Sequence, residues 1–230
     1  RRQRQMCIRD RVSACDADTR LVFLCSPNNP TGTLIAEADI EQIVAELDGR
    51  AIVVLDEAYI EFADRASMAG RARDHDNLVV LRTLSKAHAL AGARCGAAIA
   101  SEAVIDVLSK VLPPYSFPTP VIETVIEALS DNRLRDSSAS VAAIVAERER
   151  VAERLDGLNC VRQRWPSHSN FILTRFDDLP AVIEFLFDKR ILIRDFGGAA
   201  ELKNCARITI GSPQENDALL DALETYGSSN

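Results

Sequence analysis

The sequence predicts an α/β protein in which a mostly parallel sheet is followed by a smaller α/β domain. Short, unbroken apolar runs at Leu21–Cys25, Ile52–Leu55, Leu78–Leu81 and Ala97–Ala100 punctuate the first half of the chain. Runs of this length mark strands buried on both faces, as in parallel sheets covered by helices. Beyond a long helical stretch the order becomes strand, helix, strand, strand, helix, the pattern of a second layered unit.

Each element has a local reason. Residues 1–20 are polar and charged and read as a loose leading segment. Leu21–Cys25 is the first strand. Glu37–Asp48 places Ile40, Ile43, Val44 and Leu47 on one helical face, with Gly49 as its stop. Ile52–Leu55, Leu78–Leu81 and Ala97–Ala100 follow as buried strands. Glu102–Val111 is a helix ended by Pro113-Pro114, and Thr119–Leu155 is mainly helical with a break near Ser130–Asn132. Trp165-Pro166 closes that region. Asn170–Thr174 alternates as a strand, Pro180–Lys189 is a helix, Leu192–Arg194 and Arg207–Ile210 are strands, and Glu215–Thr225 is the last helix. The expected domains are residues 1–118, which carry the larger sheet, residues 119–155, a connecting helical region, and residues 156–230, the small domain.

Composition narrows the function. Of 230 residues, 47% are hydrophobic, enough for a real core. The net charge of −7 leaves no basic footprint for nucleic acid. No apolar run reaches the length of a membrane span, and no secretory leader is visible, so a cytoplasmic protein is expected. Six cysteines lie scattered without metal-like spacing, and His75, His88 and His168 form no paired motif. No metal site is expected.

Three segments carry chemistry. In Thr83-Leu-Ser-Lys86-Ala-His-Ala-Leu-Ala-Gly-Ala-Arg94-Cys-Gly96 a lysine stands among small and apolar neighbours, just after a strand. A lysine that acts as a covalent nucleophile needs such a setting, with a shielded pocket and a nearby anion site. Lys110 and Lys189 instead fall in amphipathic helices and Lys203 in a polar loop. The second segment is Ser26-Pro-Asn-Asn-Pro-Thr-Gly32 and the third is Val53-Val-Leu-Asp-Glu-Ala-Tyr59. All three lie at or beyond the carboxyl end of a strand, where ligands bind open α/β sheets. Taken singly, each has a plainer reading. Lys86 suits a solvated helix start, Asp56 a turn cap, Asn-Pro-Thr-Gly an ordinary turn, and Arg94, Arg194 and Arg207 surface or ion-pair positions.

Together with Ile191–Asp195 and Ala206–Gly211, these segments resemble, in order and spacing, the fold-type I aminotransferases that use pyridoxal 5'-phosphate, and within them the histidinol-phosphate branch. The resemblance runs over nearly the whole chain. It implies that Lys86 holds the cofactor covalently and moves a proton, and that Asp56 pairs with the cofactor's ring nitrogen. It assigns Asn29 and Tyr59 to the phenolic oxygen, and Thr83, Ser85 and Arg94 to the phosphate. Arg207 would grip the substrate's carboxylate or phosphate, with Arg194 as the second candidate. Glu57 should face away from Asp56, since strand neighbours alternate. His88 departs from the family pattern, which has an aromatic there, and reads as a packing substitute.

The implied reaction is amino transfer between L-histidinol phosphate and 2-oxoglutarate, with glutamate as its counterpart, in histidine biosynthesis. Rival readings are a related pyridoxal-phosphate lyase, such as a threonine-phosphate decarboxylase, or a folded remnant that binds no cofactor. The chain opens at Arg1, and against the family pattern roughly the first third is missing. It therefore reads as a fragment, inactive alone, of an enzyme expected to be a homodimer when complete.

Overall fold

The computed structural model describes residues 12–229, so the first eleven residues of the expected leading segment lie outside it. The chain divides into two compact units. One comprises the described chain up to Pro27, Leu34–Ile60 and Arg65–Ser137. The other comprises Asn28–Thr33, Glu61–Asp64 and the chain from Ser138 onward.

The first unit is built on a four-stranded sheet in the order β1 (Leu21–Cys25), β2 (Ile52–Asp56), β3 (Leu78–Thr83), β4 (Gly96–Ile99). β1, β2 and β3 pair in parallel, and β4 runs antiparallel to β3. The connection from β1 to β2 is helix α1 (Glu37–Glu46), which buries Ile40, Ile43 and Val44 as its spacing predicts. Those residues pack with Leu24, Val53, Leu55, Leu78 and Val80 from one face of the sheet. A 3-10 helix, Met68–Asp74, closes the same core with Met68 and Ala72. Asn77 ties the layer together, its amide donating to the carbonyls of Val44 at 2.9 Å and Ala51 at 3.3 Å. Helices α2 (Glu102–Ser109) and α3 (Thr119–Ala128) follow, then the long α4 (Asp131–Asp156), within which the division between units falls.

Two expectations need correction here. Cover on both sheet faces holds for β2 and β3, where Val53, Val54, Leu55, Val79 and Val80 are all buried. It fails at the edges. Leu21 and Phe23 of β1 are exposed, as are Gly96 to Ala98 of β4, which had been expected as a buried strand. An apolar run identifies a strand, but burial depends on neighbours, and an edge strand has one fewer.

The second unit carries an antiparallel sheet in the order β5 (Val161–Arg164), β6 (Phe171–Phe176), β8 (Cys205–Thr209), β7 (Arg194–Asp195). Helices α4, α5 (Leu179–Asp188) and α6 (Pro213–Ser229) supply one core with Ile172, Phe176, Ala206 and Ile208. The alternate residues Leu173 and Cys205 pack instead with Trp165. This two-faced alternation is the strand period of two at work.

Three local expectations shift. β5 reads Val-Arg-Gln-Arg, too polar for its strand to be visible in the sequence. β7 begins at Arg194 and not at Leu192: its ladder with β8 holds Arg194 and Asp195, while Leu192 and Ile193 alternate between solvent and core without pairing to β8. α6 starts two residues earlier than Glu215. Ser212 and Glu215 form a reciprocal cap, with the Ser212 N–H donating to Glu215 at 2.8 Å and the Glu215 N–H to Ser212 Oγ at 3.3 Å. The Ser212 N–H and the Ser212 hydroxyl, each 2.8 Å from the Glu215 carboxylate, hold that carboxyl below its ordinary value.

The loop Asn28–Thr33 is closed by Asn28 N–H to Thr33 O at 2.8 Å and Gly32 N–H to Asn28 O at 2.7 Å. Gly32 has φ +74°, and a Cβ there would stand 2.7 Å from Ser167 Cβ. Its carbonyl also accepts from His168 N–H at 2.7 Å. Gly32→Ala is therefore expected to cost about 2 kcal/mol or more, from left-handed strain plus a clash, seen as a lower urea midpoint. An unchanged midpoint would mean the loop relaxes freely.

Candidate active site

In the first unit the parallel register lines up Cys25, Asp56 and Leu81, so the chain leaves β1, β2 and β3 at a single edge. That edge carries six of the expected residues. Asp56 ends β2, half-buried, and one carboxylate oxygen accepts from Ala58 N–H at 2.9 Å. The turn-cap reading of Asp56 is thus present in the structure, and it uses one oxygen. Glu57 turns the other way, fully buried, accepting from the Ser67 hydroxyl and from Met68 N–H at 2.9 Å. Tyr59 is buried three residues beyond Asp56, and the Lys86 ammonium stands 5.4 Å from its ring centroid.

Thr83 ends β3, and its hydroxyl accepts from Ser85 N–H at 3.1 Å. The β3–β4 ladder pairs Thr83 with Gly96 and continues through Leu84 N–H to Cys95 O at 3.2 Å. Ser85 and Arg94 are the next residues on either side. Gly96 is required here, because a Cβ would stand 2.8 Å from Arg82 O. Arg94 sits at φ 52° with one guanidinium nitrogen donating to Ala91 O at 3.0 Å, and it meets no carboxylate among the described residues. A hydroxyl, a backbone turn and a guanidinium without an ion pair among the described residues thus lie in one loop, groups of the kind that bind anions. His88 lies in the same loop, its Nδ1 3.3 Å from Ser137 Oγ, which in turn donates to Ala87 O at 2.8 Å.

The remaining three candidates lie in the second unit. Arg207 Nη1 donates to Asn29 Oδ1 at 2.9 Å, so residues 178 apart in sequence meet directly. Arg194 pairs with Arg207 across the β7–β8 ladder. Residues directly opposite in an antiparallel pair project to the same face, which sets the two guanidinium groups on one side of the sheet. Neither forms an ion pair among the described residues. Sequence reasoning missed Phe171 and Phe196, whose ring centroids lie 4.9 Å and 5.8 Å from the Arg207 guanidinium carbon. Their signal was available: Phe196 follows Arg194 by two, the spacing of one strand face.

Among the described residues there is no group of three or more His, Cys, Asp or Glu placed to hold a metal ion. Nor is any described helix long and apolar enough to cross a membrane.

A lysine, a carboxylate, two hydroxyls and a guanidinium at the carboxyl edge of an open α/β sheet stand where such sheets bind ligands. The comparisons make the class specific. Residues 8–223 match the family described as aminotransferase class I and II, and the chain belongs to that family. It is 46% identical over 204 residues to the histidinol-phosphate aminotransferase of Shigella flexneri serotype 5b, covering 89% of this chain and 57% of that protein. The chain thus spans little more than half the length of this curated relative. The crystal structure of the histidinol-phosphate aminotransferase from Clostridium acetobutylicum shares the fold, with TM-score 0.88 at 23% identity, covering 97% of this chain and 68% of that one. The Sinorhizobium meliloti histidinol-phosphate aminotransferase, solved in complex with pyridoxal-5'-phosphate, is 28% identical with TM-score 0.77, covering 91% of this chain and 57% of that one.

Proposed function

We propose that the complete protein is a pyridoxal-phosphate-dependent aminotransferase that transfers an amino group between L-histidinol phosphate and 2-oxoglutarate in histidine biosynthesis. Family membership and the Shigella relative support the reaction. The observation that supports the substrate is the opposition of Arg194 and Arg207 on one ladder, with no ion pair to either among the described residues. Like charges directly opposite each other destabilise a sheet, and a bound dianion offsets that cost. A phosphate monoester carries about −1.5 to −2 charge at pH 7 and matches two guanidinium groups.

The donor set of the first unit fits the cofactor. A carboxylate, an amine, two hydroxyls and a guanidinium stand at one sheet edge, and each matches one part of pyridoxal phosphate. When bound, the cofactor supplies an electron sink for the pair left when the substrate's Cα–H bond breaks. Lys86 holds the cofactor covalently between turnovers and, when free, takes the Cα proton and returns it to the neighbouring carbon. Asp56, as a carboxylate, keeps the ring nitrogen protonated by charge. Tyr59 and Asn29 donate to the phenolic oxygen. Thr83, Ser85 and Arg94 hold the phosphate. Arg207 takes the carboxylate of glutamate or 2-oxoglutarate and joins Arg194 on the phosphate of histidinol phosphate. The complete enzyme acts as a homodimer in the cytoplasm. Association is supported by exposed apolar side chains at Val107, Val111, Leu112 and Ile126.

Three tests follow from these roles. Borohydride reduction in the presence of pyridoxal phosphate should fix a pyridoxyl group on the peptide containing Lys86; a label on Lys110, Lys189 or Lys203 would end the assignment. Asp56→Asn should keep some cofactor yet lose about a hundredfold or more in turnover, because a neutral amide cannot hold the ring proton by charge. Near-normal turnover would remove Asp56 from the chemistry. Arg194→Ala should lower kcat/KM for histidinol phosphate roughly ten- to a hundredfold while sparing the half-reaction with glutamate. Equal losses with both substrates would make Arg194 structural. Carbon dioxide release in place of glutamate formation would assign a lyase reaction instead.

A further inference from the structure

We infer that Phe196 is a positioning residue that orients Arg207 while leaving its charge available to the substrate. The inference rests on the reading of Arg207 as the substrate's anion receptor.

Its basis is how the arginines of the second unit are held. Arg148 meets Glu149, Arg150 meets Asp217, Arg154 meets Asp221 and Glu224, and Arg164 meets Asp156, whereas Arg175 lies over Trp165 and donates to Glu201 O at 3.0 Å. A carboxylate partner fixes a guanidinium but cancels its charge and occupies its donors. Arg207 has no such partner among the described residues. It donates to the neutral amide oxygen of Asn29, lies over the rings of Phe171 and Phe196, and keeps its buried Nε without a hydrogen-bond partner. An aromatic face attracts a cation through its quadrupole and takes none of its N–H groups. Ring contacts therefore hold the side chain and leave it able to bind an anion.

The two rings differ in kind. Phe171 is 2% exposed, so removing it would disturb packing as well as the arginine. Phe196 is only half-buried. Its N–H donates to Cys205 O at 2.9 Å, extending the β7–β8 ladder by one rung. With Arg194 opposite Arg207, this rung puts Phe196 on the same face as both arginines and diagonal to Arg207. A ring at that position contacts the receptor directly, and its loss leaves the core intact.

The test has a structural and a kinetic arm. In the NMR spectrum of the 230-residue chain, the Arg207 Cδ protons, identified by their absence in Arg207→Lys, should move downfield in Phe196→Leu as the ring current is lost. Phe196→Tyr, which keeps the ring, should restore them. In the complete enzyme Phe196→Leu should raise KM for 2-oxoglutarate about five- to thirtyfold, the range of a partly desolvated cation–π contact, with kcat held within about twofold. Phe196→Tyr should return KM to near the starting value. Phe196→Glu should be worse than Leu, because a carboxylate would hold Arg207 and neutralise it. Unmoved Arg207 resonances in Phe196→Leu would overturn the contact, and a KM in Phe196→Glu no higher than in the unsubstituted enzyme would overturn the charge argument. Moved resonances with an unchanged KM would overturn the positioning role. If Arg207→Ala itself leaves KM unchanged, the receptor reading fails instead, which separates the two.

Discussion

Parallel pairing of β1, β2 and β3 is the constraint on which the first unit depends. Val53, Leu55, Leu78 and Val80 are fully buried in that pairing. A one-residue slip would turn this set away from Ile40, Ile43 and Val44 of α1, so packing against that helix fixes the register. The locked register is also what brings Asp56 and the Thr83–Lys86 segment to one edge. Packing in the middle of the sheet and chemistry at its edge therefore have the same origin. Polar side chains collect there because the strands end there and backbone groups are no longer paired.

The second unit solves a different problem. Its antiparallel strands have two distinct faces, and β8 shows the division within five residues. Ala206 and Ile208 enter the helical core, while Arg207 between them stands on the opposite face with Phe171 and Phe196. An arginine could not be buried in the helical core without a large desolvation cost. On the other face it keeps its charge and is held by an amide and two rings.

Arginines in this chain are held in two ways, by carboxylates or by neutral groups and rings, and Arg175 over Trp165 shows that the second way is not confined to the candidate site. Arg148 is 6% exposed and is consumed by Glu149 and by the carbonyls of Phe62 and Ser169 at 3.0 and 3.1 Å. It holds segments of the unit together and has little left to offer a ligand. Arg194 and Arg207 are the reverse, uncompensated and opposite one another. Arg94 is likewise bound only to a carbonyl among the described residues. Cations of the second sort keep their donors free for an anion, which is what the proposed reaction would require of them.

Local signals in the sequence determined a great deal. Apolar runs located β1, β2 and β3, helical spacing located α1, and the lysine, aspartate and arginine motifs located the residues at the sheet edge. These are patterns over a few residues, set by side-chain period and turn chemistry. The polar strand β5, the exposed faces of β1 and β4, and the meeting of Asn29 with Arg207 were not legible in that way. Nor was the placement of Arg194 opposite Arg207 with no ion pair to either among the described residues, since an ion pair is equally compatible with an arginine on a strand. Only the tertiary structure decided these points. Burial, cross-strand partners and charge compensation depend on which distant residues become neighbours, and that follows from the register of whole sheets.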